Sequence, residues 1–409
     1  MFIFISLFLL SCSPENKKSI NPLGFIEKIN PLWTTILLDD FNNGIGIQGN
    51  THAMNNGNVV LFNGVKNTFQ TLNGLDVNTG KIIWTFDKDM VRNGNFVHDH
   101  FYSNGNYTIF KSLKDYYIFN ISNGRYQKET SQISYVSVYG LQNNFYIPME
   151  FSDSLNNTYY CVTKGDFLNL DGIQKISCPI YSIKASTPLG RYSFMRNTVP
   201  FEQSGNRLIL MAYSVAKSNG SQGMASYWSL YNETKENWIF DSVRIEDSIT
   251  GPHDAFYYNS KFYITDQTNL YCYSSLDAEL LWQKEFPAQI DAMNIIEEHN
   301  KIVINCVNYT SYCINADSNT QIWQENTAAS TSNIHYQDGV VYFIGGDTGK
   351  LHALDINTGK HYWKVVVPHL DGPGSSFSKH VGGMPAQNGK KGKIFTSSFT
   401  RAYCFEAVN

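Results

Sequence analysis

The feature that most constrains this chain is a stretch it carries twice. Residues 349–363 read GKLHALDINTGKHYW and residues 71–84 read TLNGLDVNTGKIIW, with Asp, Asn-Thr-Gly and Trp at the same offsets. Placing Ala353 over Gly74, Cys272 and Cys313 puts a tryptophan ten residues later each time, at Trp363, Trp84, Trp282 and Trp323. A further copy around Trp238, SLYNETKENWIF, is one residue short, and another, YYIFNISNGRYQKE, keeps the Asn-Gly turn but has Lys128 in the tryptophan place. Self-similarity of this kind marks a repeat architecture, in which each unit cannot bury its faces alone and relies on its neighbours.

Upstream of the copies runs a second periodic signal: apolar alternation around a tight turn rich in Asn, Gly, Asp or Ser. The turns are Asn56-Gly57, Asn104-Gly105, Asn143-Asn144, Ser204-Gly205, Asn259-Ser260, His299-Asn300, Asp338-Gly339 and Asn388-Gly389, spaced mostly about 40 to 60 residues apart. Each unit therefore reads as strand A, turn, strand B, loop, strand C, Asn-Thr-Gly turn, and strand D with the tryptophan, which is one propeller blade. The last unit stops after strand C at RAYCFEAVN, while NPLWTTILLDD near the start is a strand D with no unit before it, so Trp33 supplies the missing tryptophan. The expected fold is all-β: an eight-bladed propeller of four-stranded antiparallel blades, closed by the N-terminal strand pairing with the C-terminal blade. Closure removes an exposed sheet edge. The 26 Tyr, 26 Phe and 7 Trp and a charged fraction of only 16% suit many short, aromatic-packed strands.

The pattern Ala-x-Asp-x-x-Thr-Gly-x-x-x-Trp resembles the tryptophan-docking repeat of quinoprotein-like (PQQ-like repeat) propellers. Ala353, Asp355, Thr358, Gly359 and Trp363 match it fully; Asp76, Thr79, Gly80 and Trp84 match all but the first position, where Gly74 stands. Trp33, Trp238, Trp282 and Trp323 keep mainly the tryptophan, and the third unit, around YYCVTKGDFLNLDGIQKIS, matches poorly. These are structural docking positions: Asp and Thr close the C–D turn, Gly allows positive φ, and Trp fills the gap between blades.

The N-terminus, MFIFISLFLLSCSPENKK, has an apolar run too short to span a membrane and suited to a secretory signal. Leu9-Leu10-Ser11-Cys12 resembles the lipobox of bacterial lipoproteins, with Cys12 as the lipidated residue and an ordinary cleaved signal as the alternative. The organisation that follows is a signal peptide over 1–12, a flexible tether over 13–24 and a single propeller domain over 25–409. A lipoprotein of this kind implies the cell envelope of a Gram-negative bacterium, anchored to the outer membrane on its periplasmic or its surface side. Cys161, Cys272, Cys313 and Cys404 each follow a Tyr in the repeat and read as small buried hydrophobes; Cys178 has no assignable partner.

Functional groups of a propeller gather where strand A meets the central funnel. His52, His98, Asp99, His100, His253, Asp254 and His335 all precede A–B turns by a few residues, and so are candidates for one mouth of the channel. His and carboxylates together offer either a transition-metal site or a polar network satisfied by its own bonds and water; no metal site is assigned. Residues 177–200, 216–226, 242–253 and 368–384 read as long D–A or B–C loops on the same face, either a binding surface or tolerated insertions.

No GxSxG, Walker loop, GxGxxG or Cys/His context supports nucleophilic or phosphoryl chemistry, and a net charge of -4 gives no sign of a nucleic-acid partner. The resemblance to the BamB family, the propeller lipoproteins of the outer-membrane β-barrel assembly machine, implies a non-catalytic scaffold. Such a scaffold would dock a membrane protein or an outer-membrane or surface complex through its loop face. Two alternatives remain: a quinoprotein dehydrogenase using PQQ and calcium, against which stands the lack of adjacent cysteines, and a carbohydrate- or ligand-binding module using Tyr192, Phe194 and Phe377. The reading adopted is binding, with no catalytic residue and no cofactor.

Overall fold

A computed structural model describes residues 24–38, 57–66, 69–87, 102–112, 115–130, 138–152, 158–167, 181–184, 193–216, 224–245, 251–327, 332–346, 349–368 and 376–408. They form eight antiparallel sheets, seven of four strands and one of three, all but one a meander of consecutive strands. The three-stranded sheet is blade one (Val59–Lys66, Phe69–Asp76, Ile82–Phe86). Its expected strand A lies outside the described residues. In blade eight, Phe377–Met384, Lys393–Ser398 and Arg401–Glu406 are joined by Trp33–Ile36, with Trp33 opposite Cys404 and Ile36 opposite Arg401. Ring closure by the N-terminal strand is therefore observed. The bonds from Leu32 N–H to the Cys404 carbonyl at 2.7 Å and from Leu37 N–H to the Thr400 carbonyl at 2.9 Å extend it at both ends.

Apolar residues collect in eight layers, one between each pair of consecutive blades. In blade seven, Val341 and Phe343 pack towards blade six with Val303 and Trp323, while Val340, Tyr342 and Ile344 pack towards blade eight with Ile394 and Phe405. Strand B of that blade (Val340–Gly345) is consequently buried at every position. The inner strands thus carry near-continuous apolar runs where simple alternation was expected, because a sheet covered on both faces has no solvent side. Cys272, Cys313 and Cys404 are buried in these layers as unpaired thiols, as is Cys306. Cys178 lies outside the described residues.

The repeat couples one blade to the next. The indole N–H of Trp33 donates to the Val77 carbonyl at 3.1 Å, that of Trp84 to Ile121 at 3.0 Å, and that of Trp323 to Ile356 at 2.9 Å. Each acceptor sits in the C–D turn of the following blade, just after the Asp or Asn that folds the turn. Asp355 Oδ1 accepts from Asn357 N–H, Thr358 N–H and Thr358 Oγ1–H at 2.8–2.9 Å, and Asp76 makes the same three bonds. The turn glycine meets two demands at once. Gly359 has φ 71°, and a Cβ there would lie 2.8 Å from the Trp323 ring; Gly80 is placed alike against Trp33. Where Asn319 (φ 50°) replaces the glycine, the preceding blade's Trp282 Nε1 is buried without a hydrogen bond. In blade two, Lys128 lies over the Tyr117 ring at 5.5 Å in place of the tryptophan.

The hairpin turns fall where expected, with paired positive φ at Ser204-Gly205, Asn259-Ser260, Asp338-Gly339 and Asn388-Gly389. The turn placed at Asn143-Asn144 comes one residue earlier, since Asn144 already opens strand B of blade three. Three of the four long loops need correction. Within 177–200 lie a strand D at Tyr181–Lys184 and the first part of an 11-residue strand A at Ser193–Gln203. Strand D of blade four runs to Ile245, and Phe377–Met384 is strand A of blade eight. On blade four the ladder with a long neighbouring strand continues through polar sequence, as in Ser193 opposite Val215, and on blade eight Phe377 still pairs with Ser398 across a bulge.

Nothing in the sequence announced one feature. Before entering blade eight, the chain adds to the outer edge of blade seven as a short parallel strap. Ile26 N–H donates to the Tyr362 carbonyl at 2.9 Å and Lys364 N–H to the Ile26 carbonyl at 3.0 Å, while Phe25 lies 5.9 Å from the His361 ring. The expected signal peptide, with Cys12, and the expected tether up to residue 23 lie outside the described residues.

Candidate functional site

Of the seven candidate channel residues, His52, His98, Asp99 and His100 lie outside the described residues. His253 and Asp254 lead into strand A of blade five (Ala255–Tyr258), held by backbone bonds from His253 N–H to the Thr265 carbonyl at 2.8 Å and from Asp254 N–H to Thr265 Oγ1 at 3.0 Å. His335 opens strand A of blade seven (His335–Gln337) and is turned into the interface with blade eight. Its Nε2 is 3.3 Å from Gln337 Oε1, and a Cβ on Gly383 would come within 2.3 Å of that nitrogen. Burial lowers its pKa, which favours the neutral ring. His335 and Asp254 thus serve different blade interfaces. Among the described residues, no three His, Cys, Asp or Glu side chains assemble into a metal set.

Asp254 is the electrostatic exception. Burial, and then the neighbouring charge of Asp291, push its carboxyl from an ordinary 3.8 up to about 6. A raised folded-state value means that the folded protein holds the proton more tightly than the unfolded chain. The contribution of Asp254 to stability is therefore most favourable below about 3.8 and declines as pH climbs to about 6, above which the full cost remains. Asp254→Asn should flatten that slope and raise stability at pH 7 by about 1–3 kcal/mol. Urea unfolding at pH 4 and pH 7 checks this; an unchanged pH slope would assign it to other groups.

A cleft of about 750 Å³ lies among the inner strands of blades five, six and seven, lined by Tyr258, Asn294, Ile296, Glu298, Ile334 and Tyr336 among others. It reaches the A–B turn of blade six at Glu297 and Glu298, and its lining includes His335 at the start of strand A of blade seven. Two Asn residues knit the inner ring here: Asn294 Nδ2 donates to the Ile334 carbonyl at 2.9 Å, and Asn333 exchanges two bonds with the Val381 backbone. At the rim, the Tyr336 hydroxyl donates to Glu298 and accepts from Gly339 N–H at 3.1 Å, and its oxygen lies 2.8 Å from His299 Nε2. These contacts let Tyr336 brace the Glu297–His299 turn. The sequence signal was Glu-Glu-His-Asn, a polar 3₁₀ turn where other blades use two residues.

Other titratable groups are equally structural. Burial pushes the thiols of Cys272, Cys306, Cys313 and Cys404 up to about 12, so they stay protonated and unreactive. His352 and His361, at 3.3 Å from each other, are both held neutral by burial, with His361 lowered to about 4. The His352 ring stacks on Phe343 inside blade seven. Phe377 is a core residue packed on Tyr403 and Phe405, which removes it as a loop aromatic for sugar binding. Tyr192 and the Phe194 side chain lie outside the described residues.

What the surface does offer is apolar side chains on outer edges. Strand D of blade five (Leu280–Glu285) has Leu280 41% and Leu281 43% exposed, and Leu276 in the adjoining turn is 72% exposed. Blade one shows Ile82 and Ile83 at the same positions. No helix among the described residues is long and apolar enough to cross a membrane.

Residues 227–407, from strand C of blade four through blade eight, match the family model described as outer membrane protein assembly factor BamB. No curated protein matches the chain in sequence. Among solved structures, BamB from Moraxella catarrhalis superposes with a TM-score of 0.52 at 8% identity, covering 92% of this chain and 99% of that one. Sqt1 from Saccharomyces cerevisiae gives 0.58 at 10% identity (91% and 99% covered), and the computationally designed Ika8 protein 0.56 at 11% (91% and 99%). At such identities the superpositions speak for the fold. The chain is an eight-bladed propeller with PQQ-like repeats, similar to BamB.

Proposed function

We propose that this protein is a non-catalytic protein-binding scaffold of the outer-membrane assembly type, held at the envelope membrane by a lipid on Cys12. The observation that carries this reading is the match of residues 227–407 to the assembly-factor family. The surface supports it: Leu280, Leu281, Ile82 and Ile83 are exposed on outer blade edges, and Val307, Tyr309 and Phe399 in B–C loops. A rigid ring stabilised by eight interfacial layers presents such edges at fixed spacing, which suits docking.

Affinity capture of the tagged full-length protein from detergent-solubilised envelope membranes should recover a membrane protein in stoichiometric amount, and Cys12→Ser should release the chain from the membrane fraction. The dehydrogenase alternative gives the opposite result. If the purified protein with added PQQ and calcium reduced a dye at the expense of alcohols or sugars, and no partner were captured, the scaffold reading would fail.

A further inference from the structure

We propose that the outer edge of blade five is a docking site for an extended segment of a partner protein, one in which an apolar pair is flanked by lysine or arginine. The segment would add to the sheet as a parallel fifth strand. This inference rests on the scaffold reading and specifies the partner's chemistry.

The protein supplies the template for such docking. On blade seven, residues 25–27 cover strand D (His361–Val365), bonding to the outward-facing Tyr362 carbonyl and Lys364 N–H. Blade five has the same internal register: Cys272 stands opposite Trp282 as Ala353 stands opposite Trp363, with a bulge just after each. The same polar groups therefore face outwards at Leu281 and Gln283, and Leu280–Glu285 is the last strand of its sheet. Under the strap, His361 and Tyr362 are half-buried, whereas Leu280 and Leu281 at the matching places are exposed. Leu276 lies close by in the C–D turn and enlarges the patch. An edge strand with exposed leucines invites β-addition, in which backbone bonds give affinity and side-chain contacts give choice of partner.

Charge selects the occupant. Asp277, Glu279 and Glu285 are exposed around the leucines, and hydrogen bonds from Ser274 and the Glu279 N–H hold Asp277 in its ionised form. The one cation on the strand, Lys284, directs its ammonium to the Asn319 carbonyl on blade six, 3.4 Å away. Basic residues flanking an apolar pair complement this rim. A second copy of the chain does not: pairing two such edges antiparallel would bring Glu279 of one towards Glu285 of the other, like charges across the ladder. Blade one's edge shares the apolar pair, but Lys81 stands in the place of Glu279, and Asp87, in the place of Glu285, is ion-paired with Lys66 at 3.1 Å.

The test uses the full-length protein in detergent and a fluorescent peptide, KGFIKKIK, which takes its pattern from the strap and carries lysines in the flanks. Saturable binding is expected by anisotropy, weakening with salt. Gln283→Pro, which removes one outward N–H, and Leu281→Lys should each reduce affinity at least tenfold with unchanged melting temperature. Ile83→Lys on blade one should change nothing, and the peptide EGFIEEIE should bind at least tenfold more weakly. The proposal is overturned by absence of saturable binding, by equal loss with Ile83→Lys, or by a dimer of the wild type that Gln283→Pro dissociates, which would identify a second copy as the occupant. Membrane capture separates the two levels. A partner recovered equally by wild type and Gln283→Pro overturns this site and leaves the scaffold reading standing, whereas recovery of no partner overturns the scaffold reading itself.

Discussion

Trp323→Ala is expected to lower the unfolding free energy by about 3–5 kcal/mol, the range for truncating a buried aromatic. The indole fills the layer between blades six and seven, and its N–H satisfies the Ile356 carbonyl. Trp323→Phe keeps a ring but loses that bond, and should cost about 1–2 kcal/mol. The partner residue gives a sharper test. Gly359→Ala places a methyl 2.8 Å from the Trp323 ring at φ 71°, so it meets both a clash and backbone strain. In a Trp323→Ala background the clash disappears and only the strain remains, about 1 kcal/mol. Urea unfolding of the four proteins should therefore be strongly non-additive. Equal cost of Gly359→Ala in both backgrounds would mean that the tryptophan does not explain the glycine.

Removing residues 24–36 should be the most damaging change of all. It deletes the strap on blade seven and the strand that completes blade eight. Trp33 leaves the layer it shares with Phe62, Leu75, Val77 and Phe395, and Arg401–Glu406 becomes an open edge. Losing one buried tryptophan and a whole strand ladder together removes an amount comparable to the total stability of many domains, about 5–15 kcal/mol. The truncated protein should lose cooperative unfolding and associate through the freed edge, as followed by urea denaturation and size-exclusion chromatography. Adding a peptide of residues 24–38 in trans should restore part of the monomer. A truncated chain that unfolds at the same urea concentration as the intact one would show that closure contributes little.

Most of the architecture was legible because it rests on local chemistry repeated many times. Asp355 and Asp76 fold their turns with the same three hydrogen bonds, and such short-range geometry is written in the order of residues. Trp33 was recognisable as the closing strand's tryptophan because its siblings stood at a fixed offset. The candidate site was harder to read. Proximity to an A–B turn put His335 and Asp254 in one group, yet the backbone of Gly383 receives the first and Asp291 faces the second. Phe377 sat in glycine- and serine-rich sequence and reads as loop, but the ladder with Lys393–Ser398 carries it into the core.

The sequence by itself determined the number of blades, most of the turn positions, the docking of Trp33, Trp84 and Trp323 and the closing of the ring, since each follows from short-range residue order or from a repeated offset. Only the tertiary structure decided which carbonyl each indole meets, that the turn glycine is demanded by the neighbouring blade as much as by its own φ, and that residues 25–27 cover one outer edge while blade five's leucines stay exposed. Those outcomes depend on contacts between distant residues brought together by ring closure, and no periodicity along the chain encodes them.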